Sequence, residues 1–411
     1  MSERRSRTPA PARPARRVSA GAASLALSLT ALTGCQWTEV TPGADRPAEG
    51  PATSTSTSAK PVFVSNLPAG GTDVGVDLLV RLRVEGARLA SARLTSAAGD
   101  VEGRLSRATR GWAALDRLEP GTDYTLHARA TRANGESVSH TVRFRTEELS
   151  LDEQTYASVA PLDGETVGVG MPVIVTFDLP VTDRAALERE MTVTSTPPQQ
   201  GSWHWLDDRE VHWRPAEYWQ AGTDVSVDLD INGVDAGGGI HGQESRHVEF
   251  QVGDAHVYRV DARRHRMKVF RNGSLLRTLP VTLGKPGFTT RSGTKVVIEK
   301  FAEKRMNSET VGIGESNPEY YDIDDVQWAM RLTYSGEFIH AAPWSIDSQG
   351  SANVSHGCTG MSPADAGWLY AMTQRGDVVE YTGTGRPMTL ENGFGDWNVS
   401  FAEYRRGSAL S

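Results

Sequence analysis

Apolar and polar residues alternate with a period near two along most of this chain, a pattern that predicts strands rather than helices. Between residues 61 and 148 it recurs at Val76 to Val84, Arg88 to Leu94, Asp123 to Thr131 and Ser137 to Thr146, with turn residues between the runs. A second block, 149–253, repeats it at Val173 to Phe177, Met191 to Ser195, Gly201 to Leu206, Glu210 to Arg214, Asp224 to Leu229 and His247 to Val252. Asp207-Asp208 and the Gly237-Gly238-Gly239 run mark turns there. From residue 254 a third block opens with Val257 to Val260, Met267 to Phe270 and Leu275 to Leu283, folded about an Asn272-Gly273 turn. Strands at Lys295 to Glu299 and Gly336 to His340 follow, then one amphipathic helix, Pro363 to Gln374, and a last strand, Asp377 to Tyr381. The predicted fold class is mainly β: two sandwich-type β domains, then a mixed-β domain with few helices.

A chain of 411 residues exceeds one core, so several domains are expected. The first 34 residues are set apart by Arg4, Arg5, Arg7, Arg13, Arg16 and Arg17, followed by an apolar run, Val18 to Leu32, too short to span a membrane. This reads as an export signal. It ends in Leu32-Thr33-Gly34-Cys35, which resembles the lipobox of bacterial lipoproteins; the resemblance implies lipidation at Cys35 and membrane attachment through that lipid. Residues 35–60 are rich in Pro, Ser, Thr and Ala and predict a flexible tether.

The leader carries six arginines and one glutamate, net +5, so its removal would take the formal charge from −8 to −13. Such an acidic body disfavours nucleic acid and anionic lipid as partners, since both need a basic face. With Cys35 acylated, Cys358 is left as a lone thiol in an exported protein, which flags it as reactive; a buried inert cysteine is the alternative. Trp203, Trp205, Trp213 and Trp219 fit either a sandwich core or a carbohydrate-stacking face, with the core favoured.

The densest cluster of reactive side chains runs from His340-Ala341-Ala342-Pro343-Trp344-Ser345 to Ser355-His356-Gly357-Cys358-Thr359-Gly360. A thiol with an ordinary pKa of about 8.5 needs a neighbouring imidazole to become a nucleophile. The N–H groups of Gly357 and Cys358 are candidate donors to the oxyanion of a tetrahedral intermediate.

The spacing H-x₁₄-S-H-G-C resembles the signature of the L,D-transpeptidase family, and the resemblance covers Ala255 to Tyr381 of a catalytic domain set at 254–381. Leu283-Gly284-Lys285-Pro286-Gly287, Thr290-Arg291-Ser292-Gly293-Thr294 and Gly376 to Glu380 resemble further landmarks of that family. Two preceding domains, 61–148 and 149–253, resemble immunoglobulin-like modules, through Leu118 to Tyr124 in the first. Gly393-Phe394-Gly395-Asp396-Trp397-Asn398 resembles the actinobacterial branch, whose C-terminal tail, here 382–411, packs on the catalytic domain.

By position, the resemblance implies Cys358 as nucleophile, His340 as general base, the Ala341 carbonyl as the group orienting the imidazole, and His356 with Gly357 shaping the oxyanion region. Met306, Tyr321, Phe338, Trp344, Ser355 and Gly360 are implied to line the substrate cleft. Gly360 departs from the family, which places a longer side chain there to contact substrate. Residues 306–329 resemble a substrate-covering flap, predicted to be a mobile loop. Its six acidic residues, Glu309, Glu315, Glu319, Asp322, Asp324 and Asp325, would either attract an acceptor amine or form a solvated face.

The implied activity joins peptidoglycan tetrapeptide stems, as donor and acceptor, into 3→3 cross-links, with water as an alternative acceptor. The resemblance implies a cellular role in wall organisation and cell shape. No cofactor or metal is expected, and the chain is expected to be a monomer. Two rivals remain. Ser292-Gly293-Thr294-Lys295 matches the S-x-x-K of serine acyltransferases, though Val296-Val297-Ile298 argues for a strand rather than the helix that chemistry needs. A non-enzymatic wall-binding lipoprotein is the other, supported by Gly360.

Overall fold

The computed structural model describes residues 60–68, 71–106 and 110–411; the export signal, Cys35 and nearly all of the tether lie outside the described residues. The first sandwich has two four-stranded sheets whose facing sides bury Leu82, Val84, Leu94, Trp112, Leu126 and Phe144. Asp123–Thr131 alternates buried and exposed residues as a strand with one dry face must. The run predicted from Val76 becomes a strand only at Arg81. Val76 and Val80 are buried, but in turns that hydrogen-bond Leu118 and Ala114, so their alternation reports burial without sheet pairing.

The second sandwich repeats this plan with Val173–Phe177, Gly201–Trp205 and Glu210–Pro215 in one sheet and Met191–Thr196, Asp224–Leu229 and Arg246–Val252 in the other. All four tryptophans lie in its core, at most 6% exposed, with Trp213 stacked on Trp219 and Phe177 on Trp205. No carbohydrate platform is formed by them.

The catalytic domain opens with β1 (His256–Asp261), β2 (Arg266–Arg271) and β3 (Ser274–Pro280). Asn272 (φ 49°) and Gly273 (φ 78°) make the β2–β3 turn, a left-handed pair that Asn-Gly adopts readily. β4 (Gly293–Val296) joins this sheet, and β5 (Glu299–Asn307) begins a second one. The single strand expected at Lys295 to Glu299 is thus split, because Val297 and Ile298 carry the chain between sheets, bonding Asp377 and Arg331. The second sheet continues through β6 (Asp322–Arg331), β7 (Phe338–Ala341) and β8 (Thr359–Met361). Helix α1 (Pro363–Met372) starts at Ser362, whose side chain accepts from Asp365 N–H, with Pro363 at its first position. β9 (Val378–Thr382) returns to the first sheet, parallel to β1 and antiparallel to β4.

The second sandwich and the catalytic domain share a continuous core containing Val169, Met171, Trp219, Val296, Ile298, Val378 and Phe394. Their backbones also bond directly, Gly168 N–H to Arg375 O at 2.7 Å and Gly170 N–H to Gly376 O at 2.8 Å. A Cβ on Gly168 would lie 2.3 Å from the Asp377 nitrogen, so only glycine permits this approach. The C-terminal tail reaches further than the catalytic domain. Asn398 bonds both backbone groups of Thr294, whereas beyond it Tyr404 stacks on His204, and Glu188 accepts from Ala409 N–H at 2.7 Å. The tail straps the catalytic domain to the second sandwich.

Candidate active site

β7 and β8 run parallel, pairing His340 with Gly360, two residues beyond Cys358. This register brings both ends of the motif to one edge of the second sheet. His340 and Cys358 line a cavity of about 360 Å³ together with Met306, Tyr321, Trp344, Ser355, His356 and Gly360. Phe338 is buried, 5% exposed, and lines instead a second cavity of about 270 Å³. Cys358, Met306 and Tyr321 border both spaces, so the sulfur is reached from two sides of the flap.

The His340 ring is fixed by its own strand. Its Nδ1 lies 2.7 Å from the Ala341 carbonyl oxygen, which can only accept, so Nδ1 carries the proton and the Nε2 lone pair is left available. Trp344, half-exposed at the mouth, stacks on the imidazole at 5.8 Å. Burial depresses the pKa of His340 below its usual value, only partly offset by the carbonyl, so the ring is neutral near pH 7. Cys358 moves the other way: burial pushes its thiol up to about 11. Its Sγ donates to the Gly336 carbonyl at 3.6 Å, and the Phe338 backbone amide opposes the upward shift. The resting pair is therefore thiol and imidazole, with proton transfer coupled to attack.

The nucleophile loop is tied in a knot by Ser355. Its hydroxyl donates to Cys358 O at 2.6 Å and accepts from Gly357 N–H at 3.1 Å. Two expectations change here. Ser355 borders the cavity but its hydroxyl is committed to the loop, and Gly357 N–H, proposed as an oxyanion donor, is already engaged. Gly357 is required on other grounds, since its φ of 123° is open to glycine and rarely to L side chains.

His356 points to the flap rather than the sulfur. Its Nε2 lies 2.7 Å from Glu319, which also takes Lys285 at 2.5 Å, and the ring packs on Phe288 and Tyr321. The flap itself is shorter than 306–329. A short 3₁₀ turn, Ser308–Val311, and the loop after it form the cover, while Asp322 to Ala329 belongs to β6. There Asp322, Asp324 and Asp325 are exposed residues of a strand, which their composition disguised as loop. Arg305 pairs with both Asp322 and Asp324, so with Glu319 three of the six carboxylates are already compensated. The amine-attracting reading loses its basis at those positions.

At Gly360 a Cβ would meet the Ala342 Cβ at 2.9 Å and Thr282 Cγ2 at 3.0 Å. Neighbouring side chains thus occupy the space a longer residue would need. Thr282, Ile323, Val326, Ser345, Ser348 and Val354 complete the wall. They carry no motif chemistry, which is why the sequence did not mark them. Of the rival residues, Ser292 Oγ bonds Thr384 and does not border the cavity. Away from the cleft, His204 and His212 of the second sandwich face the C-terminal tail, bonded to Tyr404 O and Asp396.

Residues 255–380 match the L,D-transpeptidase catalytic domain, and residues 71–235, across both sandwiches, match the bacterial Ig domain. L,D-transpeptidase 2 of Mycobacterium tuberculosis is 36% identical over 351 residues, covering 85% of each chain. The chain belongs to the L,D-transpeptidase family. L,D-transpeptidase 5 of the same species is 35% identical over 77% of this chain and 70% of its own. The solved LdtMt1 in complex with imipenem superposes with a TM-score of 0.50 at 38% identity, over 56% of this chain and 99% of that one. A member of this family with the thiol and imidazole lining one cleft is an enzyme, an L,D-transpeptidase with the cysteine–histidine site typical of the family.

Proposed function

We propose that Cys358 and His340 carry a ping-pong acyl transfer between peptidoglycan tetrapeptide stems. The observation that carries this reading is the clamp of His340 Nδ1 on the Ala341 carbonyl, which leaves Nε2 as a base in the cavity that also holds Cys358. Nε2 takes the thiol proton as Sγ attacks the carbonyl of the third, diamino acid of the donor stem. The Cys358 N–H stabilises the oxyanion in place of the engaged Gly357 N–H. The C–N bond to the terminal D-Ala then breaks, and the imidazolium returns its proton to the leaving amine. The side-chain amine of a second stem attacks the thioester, His340 removes its proton, and the thiolate leaves. The product is a 3→3 cross-link; water in place of the amine gives an L,D-carboxypeptidase. Access to Cys358 from two cavities suits a donor and an acceptor on opposite sides of the flap.

Cys35 would anchor the enzyme by a lipid to the outer face of the membrane, with residues 36–60 as spacer to the two sandwiches. There the monomer would act on wall organisation and cell shape. Mass spectrometry of the purified chain with a disaccharide-tetrapeptide tests the reaction. A Cys358 thioester with loss of D-Ala, followed by a cross-linked dimer, is expected, and neither species from Cys358→Ala. A relative is known bound to imipenem, so carbapenem acylation of Cys358 is expected too. A thiol inert to both reagents would favour a wall-binding protein without turnover.

A further inference from the structure

Behind the nucleophile loop lies a buried charge cluster for which acyl transfer itself has no use. Lys295, on β4 and fully buried, donates from Nζ to Oε2 of Glu337. The other carboxylate oxygen accepts from Arg291 twice, from its backbone N–H at 3.1 Å and from Nη1 at 2.8 Å. One carboxylate therefore sits between two cations, Lys295 fully buried and Arg291 14% exposed. Burying a lysine is costly, and a single Lys–Glu pair would already satisfy it.

The placement of the cluster points to its use. Glu337 stands between the two residues whose backbones meet the sulfur, since Gly336 O accepts from Sγ and the Phe338 amide faces it. Its own backbone is pinned, Glu337 N–H to Thr333 Oγ1 at 2.9 Å and Leu332 N–H to Glu337 O at 2.9 Å. A Cβ on Gly357 would lie 3.7 Å from Glu337 Cγ, so the carboxylate stem underlies the loop. Lys295 Nζ also sits 3.8 Å from the centre of the Tyr381 ring, whose hydroxyl bonds Thr359 Oγ1 at 2.6 Å, one residue past the nucleophile.

We propose that Lys295, Glu337 and Arg291 form a positioning device for the nucleophile: the doubly held carboxylate fixes the Gly336–Phe338 backbone around Sγ, and its two cations offset the carboxylate's own repulsion of the thiolate as His340 takes its proton. The other ionisable groups near the sulfur supply no such charge. Tyr321 on the flap and Tyr381 behind the loop are held neutral by burial, His340 is a neutral base, and His356 on the nucleophile loop is turned to Glu319 and Lys285. Burial pushes Lys295 down to about 8 while Glu337 holds it up, so it remains charged at neutral pH. At the Cys358 thiol, Glu337 adds to the upward push of burial and Lys295 opposes it.

This rests on Cys358 being the nucleophile, but its test reads the thiol without turnover. The rate of Cys358 carbamidomethylation by iodoacetamide, located by peptide mapping, is measured at pH 7, where Lys295 is charged, in the full chain and its variants. Lys295→Met is expected to slow it roughly tenfold, the loss of thiolate that a rise of about one pKa unit produces. Lys295→Arg, which keeps the charge, should restore most of the loss. Arg291→Met removes the second cation at a more accessible site and should slow the reaction the same way by less, which decides the matter should Lys295→Met not fold. Rates unchanged from the parent in the folded variants, whatever their melting temperatures, would overturn the proposal.

Discussion

Two buried histidines in this chain have opposite fates. His340 faces a carbonyl, and burial drives it neutral; His212 faces two carboxylates, Asp396 at 2.9 Å and Glu210 at 2.9 Å, and is charged. Burial disfavours the cation at both sites. At His212 the paired anions outweigh it and lift the pKa to about 9, and Asp396 is itself buried and holds Tyr404 of the tail. The orienting partner thus decides the role: a carbonyl leaves a base for catalysis, whereas a carboxylate makes an interdomain rivet.

The comparison breaks most visibly by removing each ring or its partner. His340→Ala should slow carbapenem acylation of Cys358 by about a thousandfold or more, with little change in melting temperature. Asp396→Ala should do the reverse, leaving His212 charged without its fully buried anion at a cost of about 3–5 kcal/mol, read in thermal unfolding, while the folded fraction still acylates. If acylation and stability fall together in both variants, the two sites are not separable.

Proton linkage sharpens the contrast. The folded pKa of His212 lies above the ordinary value of 6.5, so its contribution to stability is complete below about 6.5 and is lost as the pH rises through about 9. The melting temperature should decline over that window, and His212→Gln should flatten the decline. His340, lowered instead, should leave acylation insensitive to its own titration above pH 6.5 and slow it only in more acid solution. The smallest effect is expected at the flap: Lys285→Met removes one arm of a partly exposed bridge, and a change in KM of no more than a few fold should result.

The fold class and the chemistry-bearing residues were legible because both rest on local rules. Period-two runs predicted most strands to within a residue or two, as at Asp123–Thr131 and Asp224–Leu229, and the His340–Cys358 motif carries its residue types in the open. Pairing was not legible. Lys295 stood out in the sequence only through a misleading S-x-x-K match, and its partner Glu337 lies forty-two positions away beneath the same loop. His212 likewise depends on Asp396, 184 residues on, and Gly357 lost its free amide to a serine whose hydroxyl could have turned elsewhere. The acidic strand Asp322 to Asp325 was mistaken for loop because exposure and disorder share a composition; only Arg305 across the hairpin distinguishes them.

The most direct test is nitrogen-15 NMR of the ring nitrogens of His340 and His212, followed from pH 5 to 10 with single-histidine variants for assignment. At pH 7 His340 should be neutral and protonated at Nδ1, while His212 should remain an imidazolium until near pH 9. A charged His340 at pH 7, or one protonated at Nε2, would contradict the account.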